Sequence, residues 1–117
     1  MGSMGISEIR PESMAPPAAQ YAHAVAVDGA QRLVFTSGVV PTMPDGTVPA
    51  GVEGQVRVVW ANLLNILREA GLGVADIASI TTYVVAADDL SERLASVMAV
   101  RDEVMNGHRA ASTLVTV

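Results

Sequence analysis

Few side chains in this sequence can do acid–base or nucleophilic chemistry. The 117 residues include two histidines, His23 and His108, and no cysteine. The lack of thiols excludes cysteine nucleophiles, disulfides and thiolate metal sites, and the two histidines lie too far apart in the sequence to form a metal-binding motif. A lone histidine at the start of a strand or just after a helix is more often structural than catalytic. We therefore predict no metal site.

Three carboxylates near residue 90 have the spacing of paired catalytic acids. Asp88 and Asp89 are adjacent, and Glu92 follows Asp89 by three residues. The same spacing is that of a capping box, in which an acidic N-cap and a glutamate three residues later satisfy the free amides of a helix start. The sequence therefore predicts that a helix begins here, with no acid–base role for these side chains.

Composition narrows the function classes further. Hydrophobic residues make up 50% and charged residues 16%, which excludes an intrinsically disordered chain. A net charge of −5 with 3% aromatic residues disfavours nucleic-acid binding, which needs a basic face and stacking rings. No apolar run is long enough for a membrane helix or for a secretion signal, and the absence of cysteine fits a cytoplasmic protein.

The elements that must position any site follow from the hydrophobic periodicity. Apolar residues at spacings of three and four predict a helix over residues 52–70, closed by Gly71, and a second over residues 89–105, closed by Asn106-Gly107. Runs rich in β-branched residues predict four strands, over residues 23–27, 32–40, 76–86 and 112–117.

The predicted order is β-β-α-β-α-β, an α+β fold with two helices on one face of a mixed sheet. Residues 1–4 resemble a start followed by an expression remnant. Residues 1–17 are predicted to be a flexible lead-in and residues 18–117 the domain. Two helices cover only one face of the sheet, so the apolar bare face needs a partner, most simply a second copy of this chain.

Five segments, in order, resemble the YjgF/RidA family, also called the endoribonuclease L-PSP family. The family patterns G-P-Y-S-Q-A-V, L-V-F-V-S-G-Q-I-P and H-R-P-A-R-S each have a counterpart here, as do positions on the first helix and the third strand. The matching segments are residues 19–25 (AQYAHAV), 33–38 (LVFTSG), Gln55 with Asn62-Leu63, 81–84 (TTYV) and 108–113 (HRAAST).

The resemblance implies a chorismate-mutase-like fold and a homotrimer that binds small carboxylate-bearing ligands in the clefts between subunits. It also implies hydrolysis of reactive enamines and imines, which converts a 2-imino acid to a 2-oxo acid and ammonia. In this chemistry an arginine holds the substrate carboxylate, and neither a metal nor a cofactor is needed.

This chain departs from the family pattern at the carboxylate clamp. The second arginine of H-R-P-A-R-S aligns with Ser112, and the family's final strand with its glutamate would follow Val117. The matched positions are Tyr21 and Ser37, and Arg109 is the one cation in the last motif. The resemblance therefore implies a substrate-binding set of Tyr21, Ser37, Gly38, Arg109 and Ser112 and leaves the catalytic residues unassigned.

Each of these residues also has a structural interpretation. Tyr21 is a cleft hydroxyl or an interface aromatic residue, and Ser37-Gly38 offers a ligand contact or forms a strand bulge. Arg109 is a ligand cation or one half of a surface ion pair. Three functions stay open: a RidA-like hydrolase, a non-catalytic trimer that binds a small metabolite, and, least supported by the charge, an endoribonuclease.

Overall fold

Two helices carry most of the buried apolar side chains. In the computed structural model, which describes residues 5–117, α1 spans Val52–Glu69 and α2 spans Leu90–Met105. Their apolar residues recur every three or four positions, so each helix turns one apolar side to the core. Trp60 on α1 is 5% exposed and acts as a core residue. The core cluster consists of Val56, Trp60, Val84, Val97, Val100, Met105 and Ala110.

The ends of the helices largely follow the predicted signals. Gly71 has φ +76°, and the amide of Leu72 donates to the Leu67 carbonyl at 2.7 Å, which closes α1 where the glycine predicted it. Asn106 is left-handed, with φ 47°, and ends α2 as expected. The predicted capping box at the start of α2 is wrong. The Asp89 carboxylate accepts a hydrogen bond from Arg93 Nε at 2.7 Å instead, because a charged donor is stronger than a backbone amide.

The strands form two pairs. Strands β1 (Gly5–Ile9) and β2 (Ala24–Asp28) are antiparallel, whereas β3 (Ser79–Val84) and β4 (Ala111–Thr116) are parallel and connected through α2. A single bridge between Ala22 and Ala111 joins the two pairs. A short 3₁₀ turn spans Val74–Asp76. It includes Asp76, which the sequence predicted to be the first residue of the third strand.

The α+β class and the order β-β-α-β-α-β are confirmed, and the strand predicted over residues 23–27 is β2, but β1 was not predicted. Residues 5–9 pair with β2, from Gly5 opposite Asp28 to Ile9 opposite Ala24, although the sequence predicted a flexible lead-in over residues 1–17. The expectation for residues 1–4 lies outside the described residues.

The predicted strand over residues 32–40 is wrong for this structure. The 32–40 segment belongs to no helix or strand and is hydrogen-bonded into neither of the two sheets. Its apolar side chains are exposed, with Phe35 at 87% and Leu33 at 65%. The sequence predicted a strand buried on both faces.

The helices cover one face of the β3–β4 pair and leave the other bare. Ile80 and Leu114 pack against the core, whereas Tyr83 is 69% exposed on the opposite face, beside half-exposed Val115. The radius of gyration is 15.4 Å, against about 13 Å for a compact chain of this length. No helix among residues 5–117 has both the length and the apolar character to cross a membrane.

Candidate functional site

Arg109 fastens residues 19–21, which follow the predicted lead-in, to the start of β4. It lies between the end of α2 and β4, where no strand alternation fixes its direction. Its Nη2 donates to the Tyr21 carbonyl at 2.7 Å, and its Nε donates to the same oxygen at 3.2 Å. A longer contact of 3.5 Å joins Nη2 to the Ala19 carbonyl. The side chain is 24% exposed, so Arg109 is partly used as a structural clamp on residues 19–21.

Glu8 brings a carboxylate to the same place. Its Oε2 lies 4.0 Å from Arg109 Nη2, and both side chains are about three-quarters buried. We call Glu8, Tyr21 and Arg109 the lead-in cluster. Within residues 5–117 no hydrogen-bond acceptor lies on Arg109 Nη1 and none on the Tyr21 hydroxyl, so one charged donor and one neutral donor remain for a ligand.

Ser112 follows the cluster on β4. It pairs in register with Ile80, and side chains of paired residues in a parallel ladder share a face. Leu114, two residues on, packs against the core from that same face. The hydroxyl of Ser112 is half-buried on the helix side of the sheet, near the edge where Ala22 bridges to Ala111. The Ser112 hydroxyl can therefore donate a neutral hydrogen bond beside the cluster. It does not lie on the bare face of the β3–β4 pair.

Ser37 and Gly38 lie apart from the cluster within the single chain. Both are exposed in the 32–40 segment, and no hydrogen bond among residues 5–117 joins Ser37 to Tyr21, Arg109 or Ser112. A bulge does not explain Gly38, because it lies outside every strand and a Cβ there would meet no atom within 4 Å. The structure thus brings together Tyr21, Arg109 and the start of β4, but not Ser37 and Gly38.

Each of the two histidine side chains lies within hydrogen-bond distance of a backbone carbonyl. His23 Nε2 is 2.8 Å from the Ala15 carbonyl, and the ring packs edge-on against Tyr21 with centroids 6.2 Å apart. His108 Nε2 is 2.7 Å from the Ile77 carbonyl and ties the end of α2 to the start of β3. Among the described residues no three His, Asp or Glu side chains could hold a metal ion.

Carboxylates with a perturbed pKa stabilise turns away from the cluster. A hydrogen bond from Arg93 lowers the pKa of Asp89, and one from the Thr47 hydroxyl lowers the pKa of Asp45. Both groups are fully ionised at neutral pH and act as acceptors only, so neither is a proton donor for catalysis.

Arg101 is a buried charge that the sequence reasoning missed. It is 8% exposed on α2, and its Nε and Nη2 donate to Asp102 Oδ1 at 3.1 and 3.0 Å. The signal was present, because Arg101 lies four residues after Val97 and four before Met105, on the side of α2 that is buried.

The chain resembles known proteins over most of its length. The model of the family described as endoribonuclease L-PSP matches residues 12–117 and so begins within the predicted lead-in. A RutC family protein of Haemophilus influenzae is 42% identical over 69 residues, which cover 58% of this chain and 52% of that protein. The 2-iminobutanoate/2-iminopropanoate deaminase of Escherichia coli K12 is 41% identical over 54 residues, or 45% and 42% of the two chains. The matches thus span about half the length of these curated relatives.

Solved structures of other proteins have a similar fold. A protein of the Rid family from Yersinia pestis, YyfB, superposes with a TM-score of 0.84 at 30% identity, covering 97% of this chain and 86% of that one. E. coli TdcF with bound serine gives a TM-score of 0.62 at 27% identity, with 95% and 85% coverage. Together with the family match over nearly the whole chain, these similarities show that the protein belongs to the endoribonuclease L-PSP family, which is the YjgF/RidA family.

Proposed function

We propose that this protein hydrolyses reactive enamine or imine intermediates, converting a 2-imino acid to a 2-oxo acid and ammonia. The observation that carries the proposal is the half-buried lead-in cluster, with Arg109 Nη1 and the Tyr21 hydroxyl free of protein partners among the described residues. Family membership supports it, as does the name of the E. coli deaminase that matches 45% of this chain. The serine bound to TdcF supports a ligand that carries a carboxylate.

The reaction needs little from the protein beyond placement. Water adds its oxygen to the imine carbon while the nitrogen takes a proton, and the resulting amino alcohol collapses to the 2-oxo acid as ammonia leaves. A charge-assisted contact to the substrate carboxylate fixes the imine carbon, and hydroxyl groups position the water. No redox step occurs.

The roles follow from what each side chain can donate. Arg109 Nη1 supplies one charged hydrogen bond to the carboxylate, since Nε and Nη2 are already bound to the Tyr21 carbonyl. Ser112 adds a neutral one, about half as strong as a second arginine would give. We therefore expect weaker substrate binding than a two-arginine clamp would provide.

An assay of ammonia release tests the proposal. A 2-imino acid is generated in place by an amino-acid oxidase, and the purified protein should accelerate its hydrolysis above the rate in buffer. Tyr21→Phe keeps the ring and removes the hydroxyl, so kcat/KM should fall about tenfold or more. Ser112→Ala should raise KM, whereas the control Ser91→Ala, which removes an exposed hydroxyl on α2, should leave KM unchanged. No acceleration with any of several 2-imino acids contradicts the proposal.

A homotrimer with the ligand in clefts between subunits is part of this proposal. It is supported by the bare face of β3 and β4, where Tyr83 is 69% exposed, and by Val85 and Val117, which directly follow the two strands and are also more than 60% exposed. Light scattering should give about 36 kDa, three times 12.1 kDa. A 12 kDa particle would remove the cleft. The cysteine-free composition supports a cytoplasmic location.

A non-catalytic metabolite-binding protein is the second candidate. The observation in its favour is that Arg109 spends two of its three nitrogens on backbone carbonyls, which leaves little charge for transition-state stabilisation. Saturable binding of a 2-oxo acid that raises the unfolding temperature, without turnover of the imino acid, distinguishes it from the enzyme. The net charge of −5 gives no support to ribonuclease activity.

A further inference from the structure

Glu8 in the lead-in cluster is a partly buried carboxylate to which residues 5–117 donate no side-chain hydrogen bond. It lies in β1 opposite Val25, and its side chain is 29% exposed. Its one ion-pair partner among the described residues is Arg109, whose Nη2 is 4.0 Å from Oε2, beyond hydrogen-bond distance. Both carboxylate oxygens are acceptors, and taking them out of water without a donor costs free energy.

Arg109 does not supply the missing donor. Its Nη2 has two hydrogens and donates to the carbonyls of Tyr21 and Ala19, at 2.7 and 3.5 Å. Its Nε has one hydrogen and donates to the Tyr21 carbonyl at 3.2 Å. The guanidinium therefore attracts the Glu8 carboxylate by charge alone, and only Nη1 keeps its two hydrogens for another acceptor.

The two groups that remain have opposite charges and lie close together. Nη1 is bonded to the same carbon as Nη2, the atom that approaches Glu8, so a ligand of a few atoms can reach both. Such a ligand needs an acceptor for Arg109 and a donor for Glu8. A carboxylate beside a protonated nitrogen has both, as in a 2-amino acid or a protonated 2-imino acid. A 2-oxo acid has the carboxylate but no donor.

We propose that Glu8 selects ligands with a protonated nitrogen next to the carboxylate. Glu8 accepts a hydrogen bond from that nitrogen while Arg109 Nη1 donates to the carboxylate. The inference rests on the proposed function, because it names the charge pattern that the same site accepts. When the iminium is hydrolysed, the 2-oxo acid product has no N–H for Glu8. The product therefore binds more weakly than the substrate and is released.

Binding of three acids with the same carbon chain tests this selection without any turnover. Isothermal titration calorimetry compares 2-aminobutanoate, which carries a protonated nitrogen, with 2-oxobutanoate and butanoate, which do not. One charge-assisted hydrogen bond at a partly exposed carboxylate should make the unaltered protein bind 2-aminobutanoate about tenfold more tightly than either of the others. Equal affinities, tighter binding of 2-oxobutanoate, or no binding of 2-aminobutanoate overturns the proposal.

A matched pair of variants assigns the selection to Glu8. Glu8→Gln keeps the size of the side chain but has a neutral acceptor, so most of the tenfold preference should disappear while 2-oxobutanoate binds at least as tightly as before. Glu12→Gln removes the same charge from an exposed position outside the cluster and should keep the preference. A structural role of Glu8 would weaken all three acids alike, and that result counts against selection. The comparison on the unaltered protein stands whether or not a Glu8 variant folds.

The measurements separate this inference from the proposed function. Preference for 2-aminobutanoate without hydrolysis of any 2-imino acid leaves the selection standing and removes the enzyme. Hydrolysis by a protein that binds the three acids equally does the reverse. If both hold, Glu8→Gln should raise KM for the 2-imino acid and make 2-oxobutanoate a stronger inhibitor relative to the substrate.

Discussion

Residues 52–117 and residues 5–51 differ in how their apolar side chains are covered. The later region contains both helices, the parallel strand pair and every buried core residue except Ala22. The earlier region contains more than half of the large hydrophobic residues that are exposed, namely Ile9, Met14, Val27, Leu33, Val34, Phe35, Val40 and Val48. One chain thus holds a region that folds around its own core and a region that leaves most of its large apolar side chains exposed.

Replacing an aromatic residue by alanine should therefore lower the free energy of unfolding strongly in the later region and hardly at all in the earlier one. Trp60→Ala empties a core position that is 5% exposed and should lower the free energy of unfolding by about 3–5 kcal/mol. Phe35→Ala should change it by less than about 0.5 kcal/mol at concentrations where the protein is monomeric, because the ring is already in water. Urea denaturation followed by far-UV circular dichroism measures both. Equal losses would remove the distinction between the regions.

Arg109 joins the two regions, so its removal should release one from the other. Arg109→Ala deletes the hydrogen bonds to the Tyr21 carbonyl, a loss of about 1–3 kcal/mol, reduced because the side chain is partly exposed. Endoproteinase Glu-C should then cut after Glu12 faster than in the unaltered protein, while the helices keep their ellipticity. Arg109→Lys keeps the charge but lacks the fork of donors and should give an intermediate rate. Unchanged cleavage would show that the lead-in is held elsewhere.

Within the later region, the end of α1 depends on a left-handed residue. Gly71→Ala places a Cβ at φ +76° and should lower the unfolding free energy by about 1 kcal/mol. Gly73→Ala is the matched control, since Gly73 has φ −136° and open space around it, and it should be close to neutral. Thermal unfolding of the two variants compares them directly.

The smallest effect is expected at the start of α2. The hydrogen bond from Arg93 lowers the pKa of Asp89 below its ordinary value of 3.8. The stabilisation is therefore present above that value and is lost as the pH falls through the lower folded-state pKa. Asp89→Asn should be slightly less stable than the unaltered protein at pH 7 and equal to it at pH 2. A difference that persists at pH 2 would assign the effect to something other than the charge.

Sequence reasoning predicted the later region well, because its signals are local. The three-four spacing of apolar residues, Gly71 and Asn106-Gly107 located both helices and their ends. It was less successful in the earlier region, where pairing is decided by distant contacts. The residue types in 32–40 do not predict the hydrogen bonds from Asn62 and Arg32 that hold this segment along α1. Those in 5–9 do not predict that this strand pairs with β2.

The same distinction holds for the site. The family motif drew attention to Tyr21 and Arg109, and the structure places them together. It did not indicate that the Tyr21 carbonyl, a backbone group with no sequence signal, would take two of the Arg109 donors. Ser37 and Gly38 were grouped with these residues through resemblance alone, and a single chain does not assemble them.

The link between Tyr21 and Arg109 has a consequence for the order of synthesis. The two residues are 88 positions apart, so at about 5–20 residues per second the ribosome makes Arg109 roughly 4–18 s after Tyr21. The lead-in leaves the ribosome first and gains its anchor among the last. For most of that interval Leu33 and Phe35 belong to a nascent chain that cannot yet form its core, because the residues of the core cluster all follow them in the sequence.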